Sequence, residues 1–214
     1  MSAVSPARVY GGLTAEQRHD QRRARLIEAA TLLLGTRGAA ETTVTAVCAE
    51  AKLTSRYFYQ HFSDRDALLR AVAVELENIL RREVELAAPA DGAAPDEVAR
   101  ATVGAFVRMI ADDPVMARIL FIESAAEPVM RELRSEIMTR FTDLVLAHAQ
   151  RYLHLAESTI AVAHLGSTLA VGGLFEVLRR WLDGELDFDA EQIIEHSAGL
   201  FGFLAAYVSV VQPY

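Results

Sequence analysis

Apolar residues recur at helical spacing along almost the whole chain, and no run of any length alternates apolar with polar as a half-buried strand would. That pattern restricts the 214 residues to an all-α fold. Helix starts are marked in the sequence. Thr14 with Gln17 has the capping-box spacing, Ser63 with Asp66 a looser version, and Asp189 with Gln192 repeats it near the end. Pro95, Pro114 and Pro128 each sit where a first helical residue would be. These signals predict nine helices, at about 15–35, 43–50, 54–61, 64–86, 95–111, 114–124, 128–152, 157–184 and 189–211, with ends set to within a few residues.

Hydrophobic residues make up 52% of the chain, more than one globular core of this size needs, and a subunit interface is one outlet for the surplus. Two uncharged stretches, Ser158 to Phe175 and Ala198 to Tyr214, approach the length of a membrane span. The first carries His164, glycines and hydroxyls, and the second is interrupted by Gly202 and Ser209, so buried helices and no membrane are expected. Cys48 is the only cysteine, which rules out an intrachain disulfide; with no secretory signal at the N-terminus, a cytoplasmic setting is expected.

The net charge of -8 is by itself unsuited to a nucleic-acid partner, but its distribution is uneven. Residues 1–66 hold nine Lys/Arg against seven Asp/Glu, and the remainder holds twelve against twenty-two, giving +2 and -10. The N-terminal part is the one fit to approach phosphates.

Within that part, the first helix buries Leu26, Ala29, Ala30 and Leu33 on one face and carries Arg22, Arg23 and Arg25 nearby. A short helix comes after Gly35 and Gly38, with Val44, Val47 and Cys48 turned to the core, Cys48 as a small buried hydrophobe. After Lys52-Leu53 comes Thr54-Ser55-Arg56-Tyr57-Phe58-Tyr59-Gln60-His61-Phe62. Phe58 and Phe62 stand four apart and pin this helix inward, leaving Ser55, Arg56, Tyr57, Tyr59 and His61 to the outside. Exposed rings beside an arginine and hydroxyls suit a groove lined with phosphates and base edges, because Arg pairs bidentately with guanine and hydroxyls bind phosphate.

The run from Thr42 to Leu69, with Thr-Thr-Val, Tyr-Phe-Tyr-Gln-His-Phe and Asp-Arg-Asp-Ala-Leu-Leu, resembles the DNA-binding domain of the TetR family, and the likeness is strong over about Arg22 to Arg82. The resemblance implies three parts: an arm and start of the first helix (1–21), a helix-turn-helix domain (22–82, the motif itself about 45–64), and a C-terminal effector-binding and dimerisation domain (83–214). It makes Thr43 a phosphate contact at the head of the second helix and Thr45 a neighbour of the groove. Thr54, Ser55, Arg56 and Tyr57 become the leading edge of the recognition helix, Tyr59 and His61 contact the DNA backbone, and Arg65 holds phosphate from the start of the fourth helix. Lys52 departs from the pattern, standing where the family usually has glycine; the turn is either strained by about 1 kcal/mol or differently shaped. Arg8, in the arm, is either an idle tail residue or a minor-groove contact.

The last two predicted helices are apolar on more than one face, and in a chain this small the second cover is expected to be another subunit. Leu174, Leu178, Trp181, Leu200, Leu204 and Val208 are the expected interface residues, with Gly172-Gly173, Gly199 and Gly202 allowing close approach. TetR-like proteins dimerise through these helices, which would present two reading heads to the half-sites of a palindrome. Between the two ends, Phe106, Met109, Ile110, Phe121, Met138, Phe141 and Phe175 are either ordinary core or the lining of the apolar cavity in which the family binds effectors. His164 and Thr168 are the candidate polar groups of that cavity, and the other reading of His164, the favoured one, is a satisfied buried histidine.

No Gly-rich phosphate loop, nucleophile motif or close set of metal ligands is present, and His148, His154, His164 and His196 are scattered, so neither an enzyme nor a cofactor or metal is expected. The expected function is a DNA-binding regulator, most simply a repressor of a palindromic operator that an apolar small molecule releases. The alternative is a helical adaptor that docks proteins and does not bind an operator.

Overall fold

A computed structural model describes residues 14–90, 92–124, 127–153, 155 and 157–210. These residues form nine α-helices and no strand: α1 (Ala15–Arg37), α2 (Val44–Glu50), α3 (Ser55–Tyr59), α4 (Arg65–Ala87), α5 (Pro95–Asp112), α6 (Pro114–Arg118), α7 (Pro128–Leu153), α8 (Ile160–Leu182) and α9 (Ala190–Val210). The N-terminal arm with Arg8, and His154, lie outside the described residues.

Two of the three expected capping boxes form. Thr14 and Gln17 exchange bonds, with Gln17 N donating to Thr14 Oγ1 at 3.1 Å, and Asp189 and Gln192 do the same. At α4 the cap is one residue later than the spacing suggests. Asp64 Oδ1 accepts from Ala67 N at 2.8 Å, and the Ser63 hydroxyl steadies the same carboxylate from the side. A carboxylate at this end also favours the positive pole of the helix, and the Asp64 acid is held below the usual carboxylate range chiefly by the Ala67 amide.

The helix expected at 114–124 takes a different form. It is α-helical only over Pro114–Arg118 and then opens into one π-helical turn, Ile119–Glu123. A π-turn carries one residue more than an α-turn and so rotates the residues after it about the helix axis. Here Ile119, Leu120 and Phe121 are turned into the core while Glu123, also buried, reaches the far side.

α4 is the spine. Leu68, Leu69, Val72 and Leu76 pack on Leu26, Ala30, Leu33, Val47 and Phe58 of α1–α3, while Leu80 and Val84 continue the same hydrophobic cluster among α5, α7 and α8. Its one buried acid, Glu77, is matched by Arg140 of α7 at 2.6 Å. α6 docks against the end of α1, where a Cβ on Gly35 would lie 2.4 Å from Val115, so only glycine permits that approach.

Candidate DNA-binding surface and ligand cavity

α2 and α3 are too short to stand alone and are held by the core and by α1. Phe58 has no exposed surface and Phe62 almost none, their rings 5.7 Å apart, and Val47 and Cys48 are buried beside them. Burial pushes the Cys48 thiol up, as fits a packing role. The chain between the two helices turns at Lys52, which adopts φ 53, so the strained version of the turn is the one formed. Arg25 of α1 supports it with a short guanidinium bond to the Ala51 carbonyl, a contact 26 residues away that sequence spacing does not signal.

The residues left outside make one coherent surface. Thr43 caps α2 through Ala46 N and is exposed together with Thr45. Thr54 caps α3 with no side-chain bond, and Ser55, Arg56 and Tyr57 come after it, all exposed. Arg22 lies over the Tyr57 ring at 4.8 Å. Tyr59 is 61% exposed while its ring edge rests on Phe58 at 5.3 Å, which fixes its direction without hiding its hydroxyl.

Two expected DNA contacts are placed differently. His61 packs against His19 with ring centroids 4.1 Å apart and their planes tilted by 46°, and both its nitrogens are buried and unpartnered among the described residues. Burial first, then the positive charges of His19, Arg22 and Arg23, hold its pKa down, which disfavours a charge on this half-buried ring. Arg65 is engaged within the protein. Its Nη2 donates to Ala39 O at 2.6 Å and to Glu127 Oε2 at 3.1 Å, and its Nε donates to Thr42 O at 3.0 Å. It clamps the α1–α2 connection to the start of α7, supplying donors to two backbone carbonyls of that connection.

The C-terminal helices frame three small, partly open hollows of about 50, 90 and 50 Å³. Phe106, Phe141 and Phe175 line the first of them as expected, in one aromatic cluster with Phe121. Met109, Ile110, Phe121 and Met138 are packing around it and line none of the three. His164 and Thr168 lie on the outer face of α8, exposed, with the Thr168 hydroxyl donating to the His164 carbonyl, so they are not the polar groups of the cavity. Those are Thr102, Ser167, His148 and Tyr152, the last two one turn apart on α7.

The apolar surplus of α8 and α9 is also in a different phase from the one expected. Leu174, Leu178 and Val208 are buried within the chain, and Leu204 lines a hollow. Trp181 is half-buried with its indole N–H on Phe188 O at 2.7 Å. Leu200 does face out, beside Leu165, Leu169, Phe203, Tyr207 and Val210; Leu169 and Phe203 are 61% and 67% exposed. Both helices are long and apolar enough to cross a membrane, but each also contributes buried residues to this bundle.

The family model for bacterial regulatory proteins of the tetR family matches residues 26–72. No curated protein matches the chain. Solved structures of the same fold include a TetR-family transcriptional regulator from Streptomyces coelicolor, 21% identical, covering 89% of this chain and 97% of its own, with a TM-score of 0.62. The fatty acid degradation regulator FadR from Bacillus halodurans is 15% identical over 84% of this chain and 94% of its own, TM-score 0.65. FadR from Bacillus subtilis, solved with stearoyl-CoA, is 14% identical over 88% and 99%, TM-score 0.65. Residues 26–72 thus resemble the bacterial regulatory proteins of the tetR family, within a chain that has the fold of the solved TetR-type transcriptional regulators.

Proposed function

We propose that the protein is a repressor that sits as a homodimer on a palindromic operator and leaves it when an apolar small molecule enters the C-terminal helices. Residues 22–82 form the reading unit and 83–214 the sensing and dimerisation unit. The observation that carries the reading is the outward set Thr43, Thr45, Thr54, Ser55, Arg56, Tyr57 and Tyr59, held in one orientation by the buried Phe58 and Phe62. Hydroxyls at two helix heads meet phosphates, Arg56 and Tyr57 meet base edges and thymine methyls, and Tyr59 meets the DNA backbone.

The exposed leucines and aromatics of α8 and α9 form an apolar face that a second copy would cover, making a four-helix contact and placing two reading heads about one turn of DNA apart. Such a protein works in the cytoplasm, where the operator is. Release runs through α6. Phe121 of its π-turn touches Phe175 of the cavity at 5.6 Å, and Glu123, two residues on, accepts the Ala39 amide at the head of the helix-turn-helix at 2.8 Å. A ligand that repacks the phenylalanines shifts the π-turn and with it the α1–α2 connection. Moving occupancy from 1:99 to 99:1 takes about 5.5 kcal/mol of differential binding between the two states.

Tyr59→Ala tests the surface. It should weaken operator binding at least tenfold, leaving dimerisation and the unfolding midpoint unchanged. Undiminished binding would remove α3 as the reading element.

A further inference from the structure

We infer that the molecule this cavity takes is a straight aliphatic chain, its uncharged body threaded along α5 and α7 and its single polar end beside His148 and Tyr152. The inference rests on the reading of the cavity as an effector site.

Size excludes the broad ligands first. Each hollow, at about 50 to 90 Å³, is smaller than the ~150 Å³ cavity that admits a benzene ring. No ring system fits one of them. The hollows are not independent, however: all three share Val145 and Phe201 as walls. Phe201 of α9 is only half-buried, so displacement of one side chain joins the hollow at Phe106 to the one at Tyr152, while the third, at Ser167, shares Ala149, Leu153 and Ala205 with the latter and lies alongside it, off this path.

The joined space is long and narrow. One end is bounded by Pro95 and Tyr152, the other by Phe106 and Phe141, so α5 and α7 run antiparallel along it. About eleven residues of helix separate the two ends on either side, from 95 to 106 and from 141 to 152, roughly 17 Å at ~1.5 Å per residue. A flexible chain follows such a path, whereas a rigid ring system finds no hollow along it large enough to hold it.

The chemistry of the walls fixes the rest. Among the described residues, no Lys, Arg, Asp or Glu lines any of the three hollows. The Thr102 hydroxyl is spent on the Val98 carbonyl at 2.8 Å, and the deep end beyond it is aliphatic and aromatic only. A charged or strongly polar group there would be stripped of water with nothing in return. At the opposite end Pro95 is exposed, His148 is half-buried, and the Tyr152 hydroxyl donates to Pro89 O at 2.7 Å. Polar atoms of a ligand therefore stop at that end, next to solvent.

Binding of straight-chain primary alcohols from hexanol to hexadecanol to the full-length protein, measured by calorimetry, tests this. Affinity should rise about fourfold per added methylene until the chain outgrows the site, then level off. Pyrene should bind at least tenfold more weakly than dodecanol. Val171→Phe, which fills the deep end, should move the plateau to shorter chains and leave hexanol binding unchanged; Phe201→Trp, thickening the shared wall, should weaken every long chain and gives the same test if the first variant does not fold. No gain with chain length, or pyrene binding as tightly as dodecanol, overturns the inference. Alcohols that bind with the expected length dependence yet leave operator DNA bound uphold the ligand class and defeat the effector reading. A non-chain compound that releases DNA while no alcohol binds defeats the ligand class alone.

Discussion

Replacing Glu123 with alanine probes the joint between the two halves of the molecule. The Glu123 side chain is 8% exposed, accepts the buried Ala39 amide through Oε2 at 2.8 Å, and accepts Arg118 Nε through Oε1 at 3.0 Å. Alanine leaves that amide without an acceptor, a loss of about 1–3 kcal/mol for a buried donor. Arg118, 38% exposed, regains water, so the lost pair adds less than about 1 kcal/mol. The expected cost is about 1–4 kcal/mol. For a chain of this length each kcal/mol lowers the melting temperature by about 2–4 °C, so the variant should melt about 2–16 °C lower by circular dichroism. Glu123→Gln keeps an acceptor for Ala39 and should lose less than half as much. Because Arg65 grips the Ala39 carbonyl while Glu123 grips the Ala39 amide, Glu123→Ala and Arg65→Ala should be non-additive in a double-mutant cycle. A loss below about 0.5 kcal/mol for Glu123→Ala, or equal losses for Ala and Gln, refutes the reasoning, since either shows the amide does not depend on this acceptor.

Lys52 holds φ 53 with its side chain exposed, so Lys52→Gly should raise stability by about 0.5–1 kcal/mol in urea unfolding, and an unchanged midpoint would show the turn to be unstrained. His61 and His148 both have pKa values depressed by burial, so the unfolded chain binds more protons than the folded one; stability is fully present above the unfolded value of about 6.5 and falls as pH drops below it. His61→Gln should flatten that fall between about pH 7 and 5, and identical slopes for wild type and variant would remove His61 as a contributor. Phe203→Glu should give a helical monomer in sedimentation velocity, whereas a persisting dimer would place the subunit contact elsewhere.

Much of this was legible in the chain because the signals are local. Thr14–Gln17 and Asp189–Gln192 act within one turn, and the four-residue spacing of Phe58 and Phe62 alone settles which side of α3 is buried. Where the molecule departs from the pattern, the deciding contact is distant or the pattern is degenerate. α8 and α9 are apolar nearly all round, so spacing cannot distinguish the stripe holding Leu174 and Leu178 from the one holding Leu165 and Leu169; only packing against α5 and α7 does. Arg65 and His61 have the residue types of DNA contacts, yet their fates depend on Ala39, Glu127 and His19, up to 62 residues away. Nothing in Ile119–Glu123 announces an extra residue in the turn, at whose end Glu123 meets the Ala39 amide.

The central claim, that the protein reads DNA as a symmetric pair of α3 surfaces, is tested most directly by selecting bound sequences from random double-stranded DNA with the full-length protein. The predicted result is enrichment of an inverted repeat whose half-site centres lie about one helical turn apart, lost in the Tyr59→Ala variant. Recovery of unenriched DNA, or of a single unrepeated site, would contradict it.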